Sequence, residues 1–338
     1  MKICIVGAGA IGGMIGIQLA LVGEQVTFIC RGANLTAARE DGIRLILEDG
    51  TERHARPVTA TDHIAEAGVQ DVVILAMKAH QVAGVASEVR ALFGRDTIVV
   101  TMQNGIPWWY FLGFPGPHQG TRIEAVDAGG VIASHIEVNR VIGCVVYPAA
   151  EIVAPGLIRQ IEGNRLSVGE LDGAETPRVK MIAELFRKAG FKSPVVSDIR
   201  SEIWLKLWGN VSFNPISALC HSTLVDICQF PPSRELAARM MKETQMIGEK
   251  LGVHFRVSLE RRIAGALGVG KHKTSMLQDV EHGRTLELDA LVGAVVELGR
   301  ITATPTPNID AVYACASLLA KTLQDEKGRL KIEKVNGN

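Results

Sequence analysis

Lys2-Ile3-Cys4-Ile5-Val6-Gly7-Ala8-Gly9-Ala10-Ile11-Gly12-Gly13 is the stretch that decides the fold. Lys2–Val6 is a short apolar run of strand length, and it stops at once on Gly7. Ile11–Leu21 then has helical spacing, and Gln25–Cys30 is a second β-type run. Inside this strand–turn–helix–strand order, Gly7-Ala8-Gly9-Ala10-Ile11-Gly12 matches G-x-G-x-x-G. Gly7 allows a tight turn out of the strand, Gly9 lets a pyrophosphate approach bare backbone, and Gly12 lets the helix pack close to the strand. The helix N-terminus adds free N–H groups and the positive end of its dipole. The six residues from Gly7 to Gly12 are therefore a candidate dinucleotide cradle. The competing reading is a glycine-rich turn with no ligand.

The same region also resembles something else by length. From Ile3 to Gly23 there are 21 residues without a charge, enough to suggest a membrane span or a signal peptide. Six of them are glycines, at 7, 9, 12, 13, 16 and 23, grouped as a turn demands. No small-residue cleavage site follows a compact apolar region. The expectation is a buried strand, turn and helix in a cytoplasmic protein with no export signal.

Working outward, Asp71–Met77 and Thr97–Thr101 are continuous apolar runs of strand length. Runs apolar on both faces predict parallel strands covered by helices on each side. Alternation of such strands with helical segments predicts an N-terminal α/β Rossmann domain, doubly wound around a mostly parallel sheet. Beyond Ser197 the texture changes. Asp198–Leu219, Ser233–Leu251, Leu259–Leu267, Ser275–Ile301 and Ile309–Leu323 read as helices, with no good strand pattern among them. The division is 1–197 for the Rossmann domain, 198–325 for an all-α C-terminal domain, and 326–338 for a charged tail expected to fray. Two domains suit 338 residues, a length beyond which single cores stop growing.

Lys+Arg and Asp+Glu are 36 each, for a formal net charge of zero. That balance gives no footprint for nucleic acid or an anionic membrane. Cys4, Cys30, Cys144, Cys220, Cys228 and Cys315 form no C-x-x-C pair and mostly sit in apolar stretches, as reduced buried thiols do. The nine histidines lack metal-ligand spacing, so no metal site is expected.

Three residues follow strands on the edge where open α/β sheets bind ligands. Arg31 stands at the end of the second strand, where a site preferring NAD places an acid for the ribose 2′-hydroxyl. A guanidinium there suits a 2′-phosphate, so NADP(H) is the expected cofactor. An ordinary solvated arginine is the alternative. Lys78 follows the strand Asp71–Met77, and Asn104, in Gln103-Asn104-Gly105, follows Thr97–Thr101. A surface lysine and an Asn-Gly turn explain these two equally well. Trp108–Arg122, an insert rich in aromatics, Pro and Gly, reads either as a loop over the cofactor crevice or as a surface loop pinned by aromatic packing.

In the helical domain Lys206, Asn210 and Asn214 are spaced by four and form one stripe. Their neighbours are Trp204, Leu207, Trp208, Val211 and Phe213. Polar groups amid such bulk should face each other or a polar ligand. Pro215 disfavours helical geometry at Asn214, which favours a kink there. Further on, Ser275 and Gln278 fit a capping box, and Arg284 and Glu287 fit a helix-surface ion pair.

Taken together, these residues resemble the ketopantoate reductase family (2-dehydropantoate 2-reductases). The matching stretches are GAGAIGG at 7–13, the Arg31 position, Met77-Lys78-Ala79, Gln103-Asn104-Gly105, the W-x-K-L-x-x-N-x-x-x-N-P run at 204–215, and S-M-L-Q-D…G-R…E at 275–287. The resemblance implies an N-terminal Rossmann domain, a helical C-terminal domain and an active site between them. It implies that Lys206 is the general acid, that Asn210 and Asn214 contact substrate oxygens, that Ser275 binds the carboxylate and that Glu287 accepts a hydrogen bond from the distal hydroxyl. Lys78 and Asn104 would lie near the nicotinamide ribose and the substrate. The chemistry is coherent. Hydride addition to a ketone creates an alkoxide, so a proton donor must stand within about 3 Å of the oxygen, and a lysine in apolar surroundings, with its pKa lowered toward neutrality, fits that need. The aromatic insert places the chain among longer members of the family.

The leading expectation is reduction of 2-dehydropantoate to pantoate by NADPH, a step in pantothenate biosynthesis. The alternatives are the same chemistry on another bulky 2-oxo acid, and a non-catalytic NADPH-binding regulatory protein. Long helices offer a face for a homodimer, but internal packing would use them equally well.

Overall fold

The computed structural model describes residues 1–113 and 115–333. Phe114 of the aromatic insert and residues 334–338 of the tail, where fraying was expected, lie outside them. The chain divides into two compact units. The first comprises Met1–Arg122 with Asp127–Glu202, and the second Ile123–Val126 with Ile203 onward.

Eleven strands are assigned among the described residues, all in the first unit: β1 Lys2–Val6, β2 Gln25–Ile29, β3 Ile43–Ile46, β4 Glu52–Ala55, β5 Thr59–Thr61, β6 Gln70–Leu75, β7 Phe93–Thr101, β8 Val141–Val146, β9 Ala149–Ala154, β10 Leu157–Glu162 and β11 Leu166–Gly169. Seven of them form one sheet in the order β11-β8-β7-β6-β1-β2-β5. All its pairings are parallel except β11 with β8. The order runs outward in both directions from β1, the doubly wound arrangement expected from strands apolar on both faces. Ile3, Cys4, Ile5 and Val6 of β1 and Val72, Val73, Ile74 and Leu75 of β6 are wholly buried. Each side chain of that size contributes roughly 1.5–3 kcal/mol on burial. The 21-residue uncharged stretch is thus a central strand, a turn and the helix Ala10–Leu21, whose residues from Gly12 to Leu19 are buried.

A second, four-stranded sheet was not anticipated. Its order is β4-β3-β10-β9, with β3 parallel to β10. It packs on the first helix: the Ile158 side chain of β10 occupies the space where a Cβ on Gly13 would stand, 2.2 Å from that position.

The second unit is helical. Helices span Ile199–Cys220 (its first turn lies in the first unit), Leu224–Gln229, Pro231–Lys250, Leu259–Val269, Ser275–His282, Ala294–Ile301 and Pro307–Asp325. The helix Ile199–Cys220 runs through Pro215. One expectation needs correction. The single helix expected over Ser275–Ile301 is two helices. The first stops at Gly283, which takes the left-handed conformation (φ +64°), and a π-type turn, Asp289–Gly293, leads into the second. Glycine ends a helix this way because it has no Cβ to clash. The tail is tied down through Leu330, whose N–H donates to the Val280 carbonyl at 3.3 Å.

Candidate functional site

In the first unit the glycine turn has the geometry its sequence calls for. The N–H groups of Gly7 and Ala8 donate to the Ile29 carbonyl at 3.3 and 3.0 Å, tying the turn to the end of β2. Gly7 has φ +95°, a conformation open to glycine. A Cβ on Gly12 would lie 2.3 Å from the Gly7 carbonyl oxygen and 2.9 Å from Ala76 Cβ, so only a hydrogen fits between helix and strands. At Gly9, by contrast, a Cβ would meet nothing within 4 Å. The middle glycine therefore borders open space, as a backbone that receives a phosphate must.

That space is a cavity of about 370 Å³ lined by Gly7, Ala8 and Gly9 on one side and Cys30, Arg31 and Asn34 on the other. The exposed Arg31 precedes the helix Gly32–Asp41 as its N-cap. One concave surface thus joins the glycine turn and Arg31, and the residues present fit a dinucleotide of the NADP type. Gln81 also lines the cavity. Its side chain accepts from the Lys78 N–H at 3.1 Å and so caps the short helix Ala79–Val82. Sequence reasoning missed Asn34 and Gln81, since neither lies in a motif.

Lys78 and Asn104 follow β6 and β7, with β6 ending at Leu75, two residues before the expected end. Gln103 links the two segments: its side-chain amide donates to the Leu75 carbonyl at 2.8 Å and the Met77 carbonyl at 3.2 Å. Lys78 and Asn104 are both half-buried. Gly105, beside Asn104, has φ +85° and supplies the turn.

The aromatic insert is packed rather than draped. Trp108, Trp109, Tyr110 and Phe111 are all buried, and Trp109 Nε1 donates to Thr101 Oγ1 at 2.9 Å. Arg200, 7% exposed, donates from Nε to the Tyr110 carbonyl at 2.8 Å, from Nη2 to the Leu112 carbonyl at 3.1 Å, and from Nη1 to the Leu171 carbonyl. Its guanidinium also lies 5.8 Å from the centroids of the Trp109 and Tyr110 rings. Burial pulls its pKa below the usual arginine range. Of the two readings left open for this segment, aromatic packing describes the residues from Trp108 to Phe111.

In the second unit Lys206, Asn210 and Asn214 share one face of the helix Ile199–Cys220. Lys206 and Asn210 are half-buried, and Asn214 is 5% exposed. The helix is held by its apolar faces. Trp204 and Trp208 are wholly buried, and Trp208 Nε1 donates to the Met241 carbonyl at 2.7 Å. Asn214 Nδ2 lies 3.5 Å from Ser275 Oγ, so two of the predicted residues from distant segments meet. Ser275 is exposed and is the first residue of its helix. The N-cap is Thr274, whose hydroxyl accepts from the Leu277 N–H at 3.3 Å, so the capping role expected of Ser275 belongs to its neighbour. The residues from Arg284 to Glu287 are not helical. The expected Arg284–Glu287 helix pair is accordingly replaced by Arg284 facing Asp279, at 3.8 Å. Glu287 is half-buried in this non-helical segment.

A larger cavity, about 620 Å³, lies between the residues 283–289 and the helix Pro307–Asp325. Tyr313 lines it and donates to Asp289 Oδ1 at 2.8 Å. The predicted site residues Lys206, Asn210, Asn214, Ser275 and Glu287 are absent from its lining. Among the described residues no group of three or more His, Cys, Asp or Glu is placed to hold a metal ion. None of their helices is long and apolar enough to cross a membrane.

The family model described as ketopantoate reductase PanE/ApbA matches residues 3–113, and its C-terminal counterpart matches residues 198–320. A 2-dehydropantoate 2-reductase of Mesorhizobium japonicum is 56% identical over 321 residues, covering 95% of this chain and 98% of the relative. A 2-dehydropantoate 2-reductase of Halobacterium salinarum is 30% identical, covering 89% and 92% of the two chains. A solved structure of a candidate ketopantoate reductase from Ralstonia solanacearum is 43% identical, with a TM-score of 0.90 over 96% of this chain and 98% of that one. The chain belongs to the ketopantoate reductase family.

Proposed function

We propose that the protein is a reductase that converts 2-dehydropantoate to pantoate with NADPH; its Mesorhizobium japonicum relative is named a 2-dehydropantoate 2-reductase. The observation that carries the cofactor half of this reading is the single cavity shared by the glycine turn and Arg31. The substrate half rests on that relative's 56% identity over 95% of this chain.

When bound, NADPH supplies a hydride to the carbonyl carbon. The chain's own residues do the rest. Gly7 to Gly12 hold the pyrophosphate through backbone N–H groups at the helix start, and Arg31 pairs with the 2′-phosphate. Lys206 donates a proton to the carbonyl oxygen as negative charge develops there, so that the ketone gains one hydride and one proton and becomes an alcohol. Asn210 and Asn214 orient the substrate's oxygens with neutral amides. Ser275, in contact with Asn214, lies on the carboxylate side, and Glu287 accepts from the distal hydroxyl. Lys78 and Asn104 serve the nicotinamide ribose and the substrate. The same reading assigns residues 1–197 to cofactor binding and 198–325 to the substrate, and places the enzyme in the cytoplasm as a homodimer.

Oxidation of NADPH followed at 340 nm with a panel of 2-oxo acids tests this reading. It predicts a kcat/KM for 2-dehydropantoate well above those for alkyl and phenyl 2-oxo acids. A phenyl or alkyl 2-oxo acid turned over far faster would refute the substrate assignment.

A further inference from the structure

We propose that Asn34 is a second donor to the cofactor's 2′-phosphate, beside Arg31, and that the four-stranded sheet is what aims its amide there. The proposal deepens the cofactor half of the reading above and rests on it.

One guanidinium does not satisfy a phosphate. Such a group carries about two negative charges and three acceptor oxygens, and the fork of an arginine pairs with two oxygens at a time. Among the described residues lining the glycine-turn cavity, Arg31 is the one cation and none is acidic. A further donor must come from a neutral side chain on the same side. Asn34 lines the same cavity. It lies in the first turn of the helix Gly32–Asp41, three residues after Arg31, and that turn holds no acidic residue to repel an anion. Gln81, the other amide in the lining, follows β6. In the sheet β1 separates β6 from β2, so Gln81 faces the cavity from across the glycine turn.

What singles out Asn34 is how its amide is held. The Gly156 N–H donates to Asn34 Oδ1 at 3.3 Å. A backbone N–H can bond only to the oxygen of a side-chain amide, so this contact fixes which end is which. Gly156 is not among the described residues lining the cavity. Oδ1 is therefore turned away from the cavity, and Nδ2, with its two hydrogens, is the polar end left to face it. Nδ2 makes no hydrogen bond to any described residue.

Gly156 is itself anchored. It stands with Pro155 between β9 and β10, its carbonyl accepts from the Arg44 N–H of β3 at 2.8 Å, and its φ is +71°. A Cβ on it would lie 3.0 Å from Ala37 Cβ, one turn along the same helix from Asn34. The turn thus presses on the helix face that carries Asn34, and both the backbone angle and the close approach call for glycine. Through this contact the second sheet holds the amide with its donor end toward the cofactor.

Fluorescence titration of NADPH and NADH into wild type, Asn34→Ala and Asn34→Asp tests the proposal, with melting temperatures reporting on the fold. Asn34→Ala should weaken NADPH about tenfold or more, the loss of a hydrogen bond to a charged group. It should change NADH less than about twofold, because NADH has no 2′-phosphate. Asn34→Asp keeps an acceptor for Gly156, so its melting temperature should match that of wild type, but it sets a carboxylate against the phosphate. It should weaken NADPH more than Asn34→Ala does and spare NADH. If Asn34 only braces the turn, Asn34→Ala weakens both cofactors alike, and that result, or unchanged NADPH affinity, overturns the proposal. A wild type that binds NADH as tightly as NADPH overturns the cofactor reading and the proposal with it. The two failures are told apart because only the second shows in wild type.

Discussion

Gly12 approaches Gly7 so closely that a Cβ on it would stand 2.3 Å from the Gly7 carbonyl oxygen, whereas Gly9, between them, borders open space. The two positions therefore separate packing from ligand approach. Gly12→Ala should lower the melting temperature and weaken NADPH binding together, because backbone must move to admit the methyl group. Gly9→Ala should leave the melting temperature within a degree or two and still weaken NADPH binding about tenfold or more, because the methyl group intrudes on the phosphate alone. Thermal melts paired with fluorescence titration of NADPH check both. Full affinity in Gly9→Ala would remove the pyrophosphate from this turn.

Arg31 decides the cofactor preference in this account. Arg31→Ala should weaken NADPH about 10–100-fold, the loss of charge-assisted hydrogen bonds to a phosphate. Affinity for NADH, which has no 2′-phosphate, should hold nearly constant. Titration of both reduced cofactors against wild type and variant measures the switch, and a parallel loss of both would contradict it.

Arg200 ties down the aromatic segment by donating to the carbonyls of Tyr110, Leu112 and Leu171. Arg200→Met keeps much of the volume but strands three buried acceptors, each costing about 1–3 kcal/mol when left unsatisfied. The expected loss is about 3 kcal/mol or more, read from urea unfolding followed by tryptophan fluorescence. A loss below about 1 kcal/mol would show that ring packing alone holds the segment.

Tyr313 is pushed up to about 12 by burial and by the Asp289 carboxylate it donates to. The sign follows directly. A phenol whose folded pKa exceeds its unfolded value near 10 adds stability that is fully present below pH 10 and is lost as pH rises through 12. Tyr313→Phe should flatten that part of the alkaline stability profile, measured by denaturant unfolding between pH 9 and 12. Titration of the phenol by absorbance near 295 nm should show one tyrosine ionising late. An unchanged alkaline profile in the variant would refute this role.

Much of the fold could be read locally. β1, β2, β6 and β7 are apolar on both faces, and the glycine turn sits between the first two, so the central parallel sheet follows from the sequence. The four-stranded sheet did not, because β4 is Glu-Arg-His-Ala, β9 and β10 interleave charges, and its parallel pairing joins Arg44 to Leu157 across most of the first unit. No local window sees such a pairing. The break at Gly283 was missed because apolar spacing continues on both sides of it. Glycine and the non-helical residues Arg284–Glu287 outweigh that spacing. At the candidate site, Arg31 and the polar stripe were legible from position and period. Asn34, Gln81 and Arg200 were not, since each is positioned by a neighbour that only the tertiary structure supplies.

The central claim is that the Lys206 ammonium delivers the proton that completes ketone reduction. Steady-state kinetics of wild type and Lys206→Ala with NADPH and 2-dehydropantoate, alongside direct measurement of NADPH affinity, test it most directly. The account predicts turnover by wild type, a kcat about 10²–10⁴-fold lower in the variant, and NADPH affinity within about twofold. A variant that keeps the wild-type kcat would contradict it.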